Sequence, residues 1–175
     1  MKLLTDIRVL LLAIWLGAAC FFIGVAQSAF AVLPTREMAG LVVNRTLAIL
    51  NYSGMAIAVL LIVLSLVGTS RIRPIGVWLE RLGLAVMAAA CGVAQLFIGF
   101  WLLSTRAQMG KPIDDVPVDD PLRIQFNTLH QYSEWLLMAA MIAALITFFV
   151  ITNRRAAKPV KTDTDIYDFS KEFKV

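Results

Sequence analysis

Arg123, Asn127, His130 and Glu134 follow one another at steps of four, three and four, a spacing that gathers all four side chains on one face of a helix. A guanidinium, an amide, an imidazole and a carboxylate so aligned could form a hydrogen-bonded network or a site for a small molecule or an ion. His130 is the single histidine of the chain, and this limits the options. A haem in a membrane four-helix bundle commonly takes two axial histidines, and a tight zinc or copper site needs more nitrogen or sulfur donors than one ring supplies. No Ser-His-Asp order, glycine-rich phosphate loop, CxxC pair or HExxH motif accompanies the stripe, so the sequence predicts no catalytic residue and no cofactor. The expected role is a non-enzymatic accessory subunit or small-ligand-binding bundle, with a haem- or metal-dependent membrane redox protein using His130 as the alternative. Cys20 and Cys91 are the only cysteines. Each lies well inside an apolar run and reads as a small packing residue.

The elements that must position this stripe are hydrophobic. Of the 175 residues, 59% are hydrophobic and only 16% charged, and the mean hydropathy is +0.78. These values lie far from those of soluble domains. A helix crosses about 30 Å of hydrocarbon with about 20 residues, and the chain holds four apolar runs of that order, at about residues 9–32, 47–67, 82–103 and 134–151. The expected fold is therefore all-α: a four-helix transmembrane bundle over residues 1–153, followed by a polar tail over residues 154–175. Lys2 and Arg8 before an apolar run ending near Cys20 resemble a lipoprotein signal, but apolar sequence continues to Leu33, and a retained first helix is expected.

Punctuation between the runs supports this division. Pro34 closes the first run, Gly68 suits a C-terminal cap of the second, and Asp120-Pro121 reads as an N-cap with proline at the first helical position. The third connection, with Asp114, Asp115, Pro117 and Asp119, predicts a solvated, irregular segment, so the fourth helix begins outside the hydrocarbon. In the tail, Ile166, Phe169 and Phe173 are spaced for a short amphipathic helix, and disorder is the competing expectation.

Lysine and arginine are distributed unevenly. Eleven of the 16 lie before the first run, around the second connection or in the tail, while five flank the first and third connections. Positive charge marks the cytoplasmic side, so both termini are expected there, in up-down order, in a bacterial inner membrane. The net charge of +4 is accounted for by these flanks and by anionic headgroups, which leaves no reason to expect nucleic acid as a partner. The expected partners are the lipid bilayer and, through small residues such as Ala13, Gly17, Cys20, Gly24 and Ser28, neighbouring helices of the bundle or of a homo-oligomer or larger membrane complex.

Measured along each helix, Gln27, Asn51 and Gln95 fall at depths near that of Glu134. The sequence therefore predicts a polar cluster of Gln27, Asn51, Gln95, Arg123, Asn127, His130 and Glu134, with Glu134 facing the bundle interior. Two readings stand: a network that fixes helix register, or a site for a small ligand or ion.

Trp15-Leu16-Gly17, the stretch Phe30-Ala31-Val32-Leu33-Pro34 with Ala39-Gly40, and Phe126-Asn127-Thr128-Leu129-His130 with Ser133 resemble a domain-of-unknown-function family. Its members are small four-helix bacterial membrane proteins related to the eukaryotic cisplatin-resistance-associated transmembrane protein. The resemblance covers about Trp15 to Ile151, with Gln27 where the family places a proline and Leu137 where it tends to place an asparagine. It implies membrane location and the four-helix fold, and no activity.

Overall fold

The computed structural model describes residues 2–67 and 74–156. The second connection and the segment around Ile166, Phe169 and Phe173 lie outside the described residues. Among the described residues the architecture is all-α. Helix α1 spans Lys2–Val32 and α2 spans Arg36–Val67. The third long helix, α3, runs from Pro74–Gly92 through a π-helical turn, Val93–Ile98, into Gly99–Met109. A 3-10 turn at Ile113–Asp115 precedes α4, Pro121–Ala156. Among the described residues, four helices are long and apolar enough to cross a membrane, and each extends beyond the apolar run that identifies it in the sequence.

Local chemistry explains the helix ends. The Thr35 hydroxyl accepts the Met38 N–H at 3.2 Å, and an Asp120 carboxylate oxygen accepts the Leu122 N–H at 2.8 Å. These caps satisfy amide groups that the first turns of α2 and α4 leave without intrahelical acceptors. Gly110, at φ 65°, ends α3 in the left-handed conformation that a side chain disfavours.

The core is assembled from one stripe per helix. Helix α1 contributes Leu12, Trp15, Ala19 and Phe22; α2, Leu50, Ala58 and Leu61; α3, Leu84, Met87 and Cys91; α4, Leu137, Ala140 and Ala144. Outward positions are apolar as well, among them Phe21, Val59, Val63, Phe97, Met138 and Ile142, as expected where lipid rather than water is the solvent. Trp78 and Trp101 both project outward from α3, and about 35 Å of helix separates them at 1.5 Å per residue. That is the distance between the two interfacial belts where tryptophan collects.

The small-residue stripe of α1 does not pack against neighbouring helices of the bundle, one of the two placements expected for it. Ala13, Gly17, Cys20, Gly24 and Ser28 are all exposed, and a Cβ added at Gly17 or Gly24 would meet nothing within 4 Å. Helix α1 instead enters the bundle through the large residues Leu12, Trp15 and Phe22, a quarter-turn or more away. Close helix approach occurs elsewhere. A Cβ at Gly83 would lie 2.1 Å from the Thr147 hydroxyl, and one at Gly54 would lie 2.7 Å from the Trp15 ring nitrogen and 2.9 Å from the Cys91 sulfur.

Candidate functional site

The polar stripe of α4 does not point into the bundle. The buried face of α4 runs through Leu129, Ser133, Leu137, Ala140, Ala144 and Thr147, and His130 and Glu134 each sit one residue, about 100° of helix, away from it. The His130 and Glu134 side chains are 49% and 63% exposed, and Asn127 is exposed too. The expectation that Glu134 faces the interior is corrected accordingly. Small and apolar side chains fill the inward positions of α4, while Asn127, His130 and Glu134 are left exposed.

Glu134 does have a polar partner, since its carboxylate lies 3.3 Å from Nε2 of His130. The imidazole stacks against the Phe126 ring, with centroids 6.5 Å apart. Asn127, His130 and Glu134 line a shallow, open depression of about 510 Å³ together with Val118, Ile124, Thr128 and Gln131. Arg123 leaves the stripe and donates to the Val116 carbonyl, seating Val116 as a buried plug beneath the 110–120 connection.

The other helices do not bring their polar residues to this depression. Gln27 is exposed near the end of α1, Gln95 is half-buried within the π-helical turn, and Asn51 is buried. Asn51 lies next to Leu50, whose carbonyl accepts the Trp15 ring N–H at 3.0 Å, and its own Oδ1 has no hydrogen-bond partner among the described residues. Among the described residues, no group of three or more His, Cys, Asp or Glu is gathered to hold a metal ion, so the geometry adds no support for His130 as a haem or metal ligand.

Convergence of polar groups from different helices occurs instead at the opposite end of the bundle, where α1 begins. Arg8 donates from Nη1 to Oε1 of Glu80 at 3.1 Å, with side-chain exposures of 10% and 2%. The next residue, Arg81, donates from Nε to the Ser65 hydroxyl at 2.8 Å and from Nη2 to the Ser65 carbonyl at 3.0 Å. Close by on α3, Gly83 accommodates the hydroxyl of Thr147, which donates to the Ala143 carbonyl at 2.7 Å. Each helix thus supplies a polar group to this layer: Arg8 from α1, Ser65 from α2, Glu80 and Arg81 from α3, Thr147 from α4.

In the sequence, Arg8 reads as a charge flanking the first apolar run, and Arg81 and Glu80 lie just before the third. A signal was nevertheless present. Arg8 precedes Leu12 and Trp15 at steps of four and three, and Glu80 falls between Val77 and Leu84 at steps of three and four, so both charges share the phase of a buried stripe.

At the far end, Arg106 pairs with Glu37 of α2 and donates to the Lys111 carbonyl, while Arg36 stands 3.7 Å from Asp114. These contacts tie the 110–120 connection to the start of α2. The connection is therefore more ordered than its acidic, proline-rich composition suggests.

Neither curated proteins nor solved structures provide a match to this chain. A family model described as a domain of unknown function, DUF4149, matches residues 10–111. The matched segment takes in α1 from its third turn, α2 and α3, including Glu80, Arg81 and Ser65. It stops short of α4 and the His130 stripe. With more than half of its length matched, the chain belongs to the DUF4149 family.

Proposed function

We propose that this protein is a non-enzymatic four-span bundle of a bacterial inner membrane, up-down in topology with both termini cytoplasmic, that serves as an accessory subunit or a small-ligand-binding protein. The observation that carries this reading is the polar layer at the start of α1. Arg8 and Glu80 pair inside the bundle through one guanidinium nitrogen, and Arg81 bonds twice to Ser65. Such groups fix helix register and leave no nucleophile paired with a base.

The uneven distribution of lysine and arginine supports the orientation, with the Arg8 end inside and the 110–120 connection outside. The contacts of Arg8 with Glu80 and of Arg81 with Ser65 support the up-down order, since they bring the start of α1, the end of α2 and the start of α3 together.

Reporter fusions test the orientation: those after Arg73 and Arg155 should behave as cytoplasmic, and one near Lys111 as external. A cytoplasmic signal at Lys111 would reject it. Affinity purification of the tagged full chain in mild detergent tests the role. A stoichiometric membrane partner identifies a subunit. A Soret band or stoichiometric metal that disappears in His130→Ala would replace this reading with a redox protein.

A further inference from the structure

Arg8 is only partly engaged by Glu80. Its bond to the carboxylate uses Nη1 alone, while Nε and Nη2 are buried and have no hydrogen-bond partner among the described residues. Those two nitrogens form the side-on edge of the guanidinium, where two N–H groups point in parallel at the spacing of two oxygens on one carboxylate or phosphate. The side chain is only 10% exposed, so bulk water cannot satisfy them. A buried guanidinium edge left without acceptors is costly, and such groups call for an explanation.

We propose that the side-on edge of Arg8 is a binding site for a phosphate oxyanion at the end of the bundle where α1 begins. Depth favours this ligand class. Glu80 follows the outward-facing Trp78 by two residues on α3, which puts the pair at about the level of the interfacial belt, close to the plane of lipid phosphates. Direction favours it as well. Side chains on a helix lean toward its N-terminus, so the guanidinium of Arg8 is carried from its Cα toward the start of α1 and the membrane surface, as in other interfacial arginines. Glu80 holds the far side of the guanidinium, so an incoming phosphate meets an already oriented fork. A lipid phosphodiester and free inorganic phosphate present the same two oxygens.

The proposal rests on the membrane reading above, and the test separates the two. The full chain is purified in detergent and delipidated, and its melting temperature is followed on adding phosphatidylglycerol, diacylglycerol with the same acyl chains, or inorganic phosphate against chloride at equal ionic strength. Wild type should gain several degrees with phosphatidylglycerol and not with diacylglycerol, and Arg8→Lys, which keeps the charge but lacks the fork, should lose that gain. A shift with inorganic phosphate alone would support the oxyanion site and assign it to the free ion. Equal gains in wild type and Arg8→Lys, equal gains with diacylglycerol, or no gain with either phosphate source would overturn the proposal.

Native mass spectra of wild type supply a measurement independent of whether Arg8→Lys folds. Retained phosphatidylglycerol that inorganic phosphate displaces supports the site, and retention of neither phosphatidylglycerol nor phosphate overturns it. A chain that stays monodisperse without detergent would instead remove the membrane reading itself.

Discussion

Arg8 of α1 and Glu80 of α3 stand 72 residues apart in the chain and 3.1 Å apart inside the bundle. Each occupies a position in phase with the apolar stripe of its helix, so neither can turn outward without rotating that helix. Removing one partner of a buried pair leaves the other charge uncompensated, at a cost of about 3–5 kcal/mol, whereas replacing both with apolar groups is far milder. Glu80→Leu is therefore expected to lower stability in detergent by about 3 kcal/mol, and the Arg8→Leu, Glu80→Leu double variant to recover most of that loss. Equilibrium unfolding of the two single variants and the double variant measures the coupling. Additive losses would show that the two charges act separately.

Gly83 governs the approach of α3 to α4. An added Cβ would stand 2.1 Å from the Thr147 hydroxyl and 3.3 Å from the Ala143 carbonyl, so Gly83→Ala must separate the helices or expel the hydroxyl. We expect a loss of about 1–3 kcal/mol from this overpacking, with partial recovery in Gly83→Ala, Thr147→Ala. Gly17→Ala is the control, because nothing lies within 4 Å of its added Cβ. Thermal unfolding should therefore rank Gly83→Ala well below Gly17→Ala, and the reverse order would contradict the packing described.

Trp15 reaches across to α2, where its ring N–H donates to the Leu50 carbonyl at 3.0 Å. That carbonyl lies one residue before the buried Asn51, in the middle of the bundle. Trp15→Phe removes the donor and part of the packed ring, and should cost about 1–2 kcal/mol, with the hydrogen bond near the lower figure. Since Trp15 is 2% exposed whereas Trp78, Trp101 and Trp135 all face outward, a lipid-soluble quencher should spare its fluorescence. A variant retaining only Trp15 that is quenched as strongly as one retaining only Trp101 would refute the placement.

The parts of this fold that follow from local pattern were legible in the sequence. Four apolar runs predict four long helices, and Asp120-Pro121 predicts a capped start to α4 that the Asp120 to Leu122 hydrogen bond bears out. The facing of polar residues was harder to read. The spacing of Arg123, Asn127, His130 and Glu134 puts them on one face of α4, but spacing alone does not say which way that face turns. The answer lay in the neighbouring stripe of Leu129, Ser133, Leu137 and Ala140, whose small and apolar side chains permit close packing. Depth was a second source of error. Polar groups at matching heights on four helices converge only if each helix is also rotated to present them, and Gln27 and Glu134 are turned outward. Charges near Arg8 and Glu80 resemble ordinary topological flanks until the periodicity beside them is compared.

Glu134 provides the sharpest contrast with Glu80, because both are single carboxylates near an end of the bundle. The Glu134 side chain is 63% exposed and its partner His130 is 49% exposed, at 3.3 Å and four residues apart on one helix. Exposed pairs of this spacing contribute about 0.3–0.5 kcal/mol, since solvent screens the attraction and two side chains must be held in place. An interior carboxylate would make Glu134→Ala more damaging than Glu134→Gln, because only the amide keeps the hydrogen bonds. An outward carboxylate makes the two equivalent. Both variants, and His130→Ala, are thus expected to melt within about a degree or two of wild type in detergent, while Glu80→Leu melts far lower. If Glu134→Ala fell as far as Glu80→Leu and Glu134→Gln did not, the outward placement of the α4 stripe would have to be abandoned and a converging polar cluster at that end restored.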